Sequence, residues 1–134
     1  MKWIIAYISA AIAFGVLDAI WLNWAGPNLY QPTIGEIMAD DVNFIAACTF
    51  YFLYLAGMVW FVVRPALTEG RVAVAVLNGA LLGALCYATF DLTSQAVFKV
   101  WATHITIADI LWGAFATATS AAFATFITLR FAHE

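Results

Sequence analysis

The chain has 134 residues, of which 66% are hydrophobic and only 10% are charged. Soluble domains carry about 25% charged residues, so this composition excludes a soluble globular protein and indicates an integral membrane protein with a single domain. The formal net charge of -3 and the lack of a basic patch exclude a nucleic-acid partner.

Four apolar segments are long enough to cross a bilayer, which takes about 20 helical residues. Glycine, proline or polar residues follow the first three: Gly26-Pro27, Pro32 and Gly35, then Arg64-Pro65 and Gly70, then Thr93-Ser94-Gln95. The spans are therefore predicted at about 3–24, 43–63, 72–92 and 107–130. None of them alternates with the period of two that a membrane β-barrel requires. The predicted fold is all-α, an antiparallel bundle of four transmembrane helices.

Two features of this bundle follow from its connecting residues. Lys2, Arg64, Arg71 and Arg130 flank one side of the membrane, and only Lys99 flanks the other. Because basic residues are retained on the cytoplasmic side, both termini are predicted to be cytoplasmic. The segment 93–106 is predicted either to extend the third helix or to lie along the interface as a short amphipathic piece.

Every predicted span carries an aspartate or asparagine toward the same side of the membrane. Asp18 lies near the outer end of the first helix, and Asn43 begins the second. Asp91 ends the third helix, and Asp109 begins the fourth. Lys99 is the only basic residue near this cluster. Its carboxyls are therefore expected to be protonated, to hold a cation, or to line a water-filled cavity.

Some of these acidic positions also fit a purely structural role. The run T-I-A-D that ends at Asp109 resembles a capping box, and Asp40 or Asp41 would cap the second helix in the same manner. Asp18 and Asp91 fall toward helix C-termini instead, where the helix dipole disfavours anions. A binding role is therefore favoured for Asp18 and Asp91, and a capping role for the others.

Aromatic side chains are predicted to form the apolar walls of the same site. Trp21 follows Asp18 by three residues, and Trp112 follows Asp109 by three, so the motif D-x-x-W occurs in the first and fourth spans. The complete predicted ligand-binding set is Asp18, Trp21, Asn43, Tyr54, Tyr87, Asp91, Asp109 and Trp112. Asp18, Asp91 and Asp109 are also predicted as ligands of a divalent cation, because oxygen ligands favour Mg²⁺ or Ca²⁺.

A GxxxG motif in the third span predicts close helix packing. Gly79 and Gly83 leave room for a neighbouring backbone, since small residues let membrane helices approach. Packing within the bundle is favoured, with formation of a homodimer as the alternative.

Several short motifs carry a resemblance that covers nearly the whole chain. They are Asp18-Ala-Ile-Trp21-Leu22, the run from Phe50 to Gly57, Pro65-Ala66, the run from Tyr87 to Thr93, and Asp109-Ile-Leu-Trp112-Gly113. Together they resemble a family of small four-helix bacterial inner-membrane proteins that has no assigned function. The resemblance implies a multi-pass protein of the bacterial inner membrane with these aspartates and aromatic residues in common.

Three functions are compatible with these residues. The first is binding of a cation, or of an amphiphilic or lipid-like ligand, between the aspartates and the aromatic walls. The second is proton- or cation-coupled transport, because membrane carboxylates mark such pathways and D-x-x-W occurs twice. The third is an accessory or assembly subunit whose partner is another membrane protein. No nucleophile–base pair or phosphate-binding loop occurs, so an enzymatic activity is left undecided.

Overall fold

The computed structural model describes residues 1–132, all of whose regular elements are helical. Four helical stretches within this range are long and apolar enough to cross a membrane. They run over Lys2–Ile37, Phe44–Glu69, Val72–Val97 and Thr103–Phe131. The prediction of an all-α membrane protein is confirmed. His133, to which the sequence assigns no role, lies outside the described residues.

The first stretch is longer than predicted. Helix α1 (Lys2–Ala25) continues through a π-helical turn (Gly26–Tyr30) into α2 (Gln31–Ile34) and a 3₁₀ turn (Gly35–Ile37). Pro27 and Pro32, predicted as breakers, each lie at the start of a new helical segment, where a missing N–H is tolerated. The residues between about 25 and 37 therefore form a helical extension rather than a loop.

The second stretch also continues past its predicted end. Helix α3 (Phe44–Met58) leads through a π-helical segment (Val59–Val63) into α4 (Arg64–Glu69). The extension ends at Gly70, whose φ of 68° lies in the left-handed region that glycine tolerates. At the other end of α3, the Asn43 side chain accepts a hydrogen bond from the Ala46 N–H at 3.1 Å. The helix cap is therefore Asn43 and not Asp40 or Asp41.

The last two helices are α5 (Val72–Val97) and α6 (Thr103–Phe131). The polar run Thr93-Ser94-Gln95 lies inside α5. Residues 93–97 therefore extend the third helix, as the first of the two alternatives predicted, and the helix ends at Val97. The capping box predicted at Asp109 is wrong, because α6 begins at Thr103 after the N-cap residue Ala102. Asp109 therefore lies in the second turn of a helix, and Asp91 lies well inside another.

Helices α5 and α6 pack antiparallel at very short range. A Cβ on Gly79 would lie 2.8 Å from the Cα of Ala118, and one on Gly83 would overlap the carbonyl oxygen of Gly113. The GxxxG motif is thus used for packing within the bundle, which confirms the favoured alternative. This close approach brings Asp91 of α5 beside Asp109 of α6.

We expect Gly83→Ala to destabilise the protein by about 1–3 kcal/mol, since the backbones of α5 and α6 must separate to admit a methyl group. Gly15→Ala is the matched control, because nothing lies within 4 Å of a Cβ at Gly15. The control should be neutral or slightly stabilising, as alanine favours helix over glycine. The free energy of unfolding of each variant is measured in mixed detergent micelles. Equal effects of the two substitutions would contradict the close approach.

The two ends of the bundle differ in how they are filled. The end that carries Lys2 and Arg64, here called the terminal end, holds the apolar core around Phe14, Met58 and Val62. The opposite end, here called the loop end, carries the connections at 38–43 and 98–102. Phe44 and Ile45, 71% and 84% exposed, show that α3 stands away from the other helices there. The loop end is therefore the less densely packed half of the molecule.

Candidate functional site

A cavity of about 610 Å³ lies at the loop end of the bundle. It is bounded by the first helical stretch, the C-terminal half of α5 and the N-terminal part of α6. Most of its wall is apolar or aromatic, and its carboxylates are Asp18 and Asp109. The lining residues are Asp18, Trp21, Leu22, Tyr30, Ile34, Ile37, Met38, Tyr87, Phe90, Ser94, Phe98, Trp101, Asp109 and Trp112. An apolar cavity with a few convergent polar groups is typical of small-molecule sites.

The carboxyl of Asp109 is held by the helical extension. The Tyr30 hydroxyl donates a short hydrogen bond to Asp109 Oδ1 and accepts one from Trp21 Nε1 at 3.0 Å. The π-helical turn Gly26–Tyr30 ends at this tyrosine, and π turns often occur at functional positions. The chain Trp21–Tyr30–Asp109 therefore ties α1 and its extension to α6.

The carboxyl of Asp18 is held from two other helices. The Tyr51 hydroxyl of α3 donates a short hydrogen bond to Asp18 Oδ2. The indole of Trp112 on α6 also interacts with this carboxyl, although Trp112 Nε1 has no acceptor at normal hydrogen-bond geometry among the described residues. Asp18 is thus the point at which α1, α3 and α6 meet.

The two D-x-x-W motifs pack against each other. The rings of Trp21 and Trp112 stack with centroids 4.8 Å apart and an interplanar angle of 8°. Trp112 interacts with the aspartate of the first motif, and Trp21 reaches the aspartate of the second through Tyr30. Each motif therefore supports the carboxyl of the other.

Asp91 lies behind the cavity wall and is completely buried. Neither of its carboxylate oxygens has a hydrogen-bond partner of normal geometry in the described part of the chain, although the carboxyl of Asp109 is close enough to interact with it. A buried polar group without partners costs about 1–3 kcal/mol, and a charged group costs more. Such a group calls for an explanation beyond the stability of the fold.

A second polar network lies at the loop end, beside Asp91 and Asp109. The Thr106 hydroxyl donates to Gln95 Oε1 at 2.7 Å and accepts from Trp101 Nε1 at 3.0 Å. Gln95 Nε2 in turn donates to the Thr103 hydroxyl at 2.9 Å. Thr106 therefore serves to join α5 to the connection before α6, which differs from the capping role predicted for it.

A smaller crevice of about 450 Å³ opens between α3 and α5. It is lined by Phe50, Tyr54, Cys86, Tyr87 and Phe90. The Tyr54 hydroxyl lies 2.7 Å from the Thr117 hydroxyl of α6. Tyr87 and Phe90 line both this crevice and the main cavity, so the two spaces share one wall.

The structure brings together five of the predicted ligand-binding residues. Asp18, Trp21, Tyr87, Asp109 and Trp112 line the cavity. Of the other three, Asp91 lies directly behind Asp109, whereas Tyr54 lines the neighbouring crevice. Asn43 caps α3 and does not line the cavity.

Two tyrosines that hold the carboxyls were not among the predicted residues. Tyr30 lies in the segment that was predicted to be a loop, so its helical position and its direction were not foreseeable from spacing. Tyr51 lies in the aromatic run from Phe50 to Gly57 that contributes to the family resemblance. That run was the one signal that would have pointed to it.

The metal site predicted at Asp18, Asp91 and Asp109 has no support from the geometry. No group of three or more His, Cys, Asp or Glu side chains within residues 1–132 is arranged to hold a metal ion. Asp18 and Asp91 each interact with Asp109 instead, so the three carboxyls are linked in pairs. Binding of Mg²⁺ or Ca²⁺ stays a prediction.

The depth of the cavity follows from helix geometry. At a rise of about 1.5 Å per residue, Asp18 lies about 24 Å along α1 from Lys2. The hydrocarbon core of a bilayer is about 30 Å thick, so Asp18 lies in the half of the membrane far from the terminal end. The helical extension continues beyond it and covers the cavity from the loop end.

Comparison with known proteins agrees with this description. The family model described as "Predicted membrane protein (DUF2177)" matches residues 3–126, which include both D-x-x-W motifs and all four membrane stretches in whole or in large part. No curated protein and no solved structure matches the chain. The chain belongs to the DUF2177 family of predicted membrane proteins.

Proposed function

We propose that this membrane protein binds an amphiphilic or lipid-like ligand in the cavity at the loop end. The observation that carries the proposal is an aromatic cavity of about 610 Å³ with the carboxylates of Asp18 and Asp109 on its wall. The carboxylates would hold the polar group of the ligand, and the side chains of Ile37, Met38 and Phe98 would contact its chain. This volume falls within the range of about 300–1,000 Å³ usual for small-molecule sites.

The location proposed for this site is the outer half of the bacterial inner membrane. Lys2, Arg64, Arg71 and Arg130 lie toward the terminal end, and Lys99 lies in a connection at the loop end. This charge distribution supports cytoplasmic termini and a loop end that faces outward. The ligand would then be drawn from the outer leaflet.

The other functions stay predictions. A proton- or cation-coupled transporter and an accessory or assembly subunit would both use buried carboxyls, whereas the aromatic walls of the cavity favour an amphiphilic ligand over a bare ion. A homodimer formed through Gly79 and Gly83 is not supported, since both glycines already contact α6.

Photo-cross-linking tests the proposal. The probe is a dodecyl chain with a diazirine, in an alcohol form and an amine form, and the protein is purified in nanodiscs. We expect saturable labelling of the peptides that contain Ile34–Met38 and Phe98–Trp101, which an excess of unlabelled probe removes. Labelling of Leu81 and Phe126, whose exposed side chains lie outside the cavity, should not saturate. Uniform, non-saturable labelling by both forms would refute a binding cavity.

A charge-matched pair of variants completes this test. Asp18→Asn removes a carboxylate from the cavity wall and should reduce saturable labelling by at least fivefold. Asp41→Asn removes the same charge from the exposed connection before α3, outside the cavity, and should leave labelling unchanged. An equal loss in both variants would show that net charge, not the site, governs labelling.

A further inference from the structure

We infer that the polar group taken by the cavity is an alkylammonium with N–H donors, such as the primary amine of an amphiphile. This inference rests on the proposed function and names the chemistry of its ligand. It follows from the charge of the cavity, from the hydrogen bonds that its side chains leave unmade, and from the nature of its walls.

The cavity wall carries acidic side chains and, among the described residues that line it, no basic one. Asp18 and Asp109 line it, Asp91 lies buried behind Asp109, and no Lys, Arg or His occurs among the described lining residues. Carboxylates removed from water need a cation or a proton to offset their desolvation. The missing charge is therefore one that a ligand would supply.

The hydrogen bonds left unmade by the carboxyls of the cavity wall are those of acceptors, and the indole N–H of Trp112, which has no partner of normal geometry among the described residues, already interacts with the Asp18 carboxyl. The Tyr30 hydroxyl already donates to Asp109, and the Tyr51 hydroxyl already donates to Asp18, so neither has a proton left for a ligand. An ionised carboxylate offers about four acceptor sites, so Asp109 and Asp18 keep further acceptor positions after they accept from Tyr30 and Tyr51. The best complement to this surface is a group with several donors and no acceptor.

A primary ammonium has this character, because it carries three N–H donors and a full positive charge. A quaternary ammonium carries the charge but no donor, so it would leave the carboxylate oxygens unpaired. The stacked rings of Trp21 and Trp112, together with Tyr87, add faces that attract cations. The ammonium could belong to an aminophospholipid headgroup or to a free long-chain amine.

The test compares three amphiphiles that share one dodecyl chain: dodecylammonium, dodecyltrimethylammonium and dodecanol. Binding to the wild-type protein is measured by native mass spectrometry from nanodiscs of phosphatidylcholine. We expect dodecylammonium to bind at least tenfold more tightly than either of the others. Asp109→Asn should reduce this preference to threefold or less, while Asp41→Asn should leave it intact.

The outcomes separate the inference from the function on which it rests. Saturable binding of dodecanol with an affinity equal to that of dodecylammonium would overturn the ammonium and keep the cavity as an amphiphile site. Equal or tighter binding of the trimethyl form would overturn the requirement for N–H donors. No saturable binding of any of the three would overturn both proposals.

A second arm of the experiment distinguishes the two sources of the amine. Nanodiscs are prepared with phosphatidylethanolamine in place of one third of the phosphatidylcholine, and bound dodecylammonium is measured again. Displacement of dodecylammonium identifies the lipid headgroup as a ligand. Full retention assigns the site to free amines.

Discussion

Replacing Asp91 by asparagine is expected to stabilise the protein and to weaken its binding of dodecylammonium. The carboxyl of Asp91 is fully buried and has no hydrogen-bond partner of normal geometry within residues 1–132, at a cost of about 1–3 kcal/mol or more. An amide of the same shape has no charge to desolvate and can donate to the neighbouring Asp109. That amide donor would also take up an acceptor position of Asp109 that the ligand would use. We therefore expect a gain of about 1–3 kcal/mol in the free energy of unfolding, together with about a threefold loss of affinity.

Two measurements on the same preparation check this result. Unfolding in mixed detergent micelles gives stability in the absence of amphiphile ligand, and native mass spectrometry gives affinity for dodecylammonium. Asp41→Asn is again the control, since Asp41 is exposed, and it should change neither quantity. A less stable Asp91→Asn protein would mean that the fold itself needs the carboxylate. Higher stability with full affinity would show that Asp91 does not influence the ligand through Asp109.

The largest loss of stability from a single polar atom is expected at Tyr30. Tyr30→Phe removes the donor to Asp109 and the acceptor of Trp21 Nε1 in one step. Hydrogen bonds to charged groups contribute about 1.5–3 kcal/mol, and the half-buried indole N–H also loses its partner. We expect a decrease of about 2–4 kcal/mol in the free energy of unfolding, since both effects act in the same direction.

Tyr7→Phe provides the comparison for this substitution. The Tyr7 hydroxyl donates to the Phe52 carbonyl oxygen at 3.1 Å in an exposed position, so its loss should cost about 1 kcal/mol or less. Hydrogen exchange should show that Tyr30→Phe loosens Gly26–Ile37 specifically, because Tyr30 holds that extension to α6. Equal stability of the two variants would contradict the role given to Tyr30.

Much of this architecture was predictable, because membrane helices obey a simple length rule. The four apolar segments, the antiparallel order and the packing of Gly79 and Gly83 all follow from hydropathy and residue size. Asp18, Asp91 and Asp109 were assigned to one end of the bundle because alternate helices reverse direction. That assignment needs no knowledge of side-chain contacts. In the structure, Asp18 and Asp109 line the cavity at the loop end, and Asp91 lies beside Asp109.

The predictions failed where proline and polar residues were taken as helix ends. Pro27 lies at the start of the π turn Gly26–Tyr30, and Pro65 lies at the start of α4, which follows the π-helical segment Val59–Val63. The missing N–H therefore does not stop the helix at either proline. Thr93-Ser94-Gln95 stays helical because Gln95 finds partners in Thr103 and Thr106. Such contacts between distant residues cannot be deduced from local sequence, which is why Tyr30 was not predicted in the site.

The crevice between α3 and α5 has a consequence for the affinity such a site would require. It opens between two of the membrane-spanning stretches and shares the wall of Tyr87 and Phe90 with the cavity. If Tyr87 and Phe90 moved aside, a lipid that entered the cavity through the crevice would never pass through water. Its concentration is then set by its mole fraction in the leaflet and not by its solubility. Contacts too weak to capture a dissolved molecule would suffice to keep the cavity occupied by an abundant lipid.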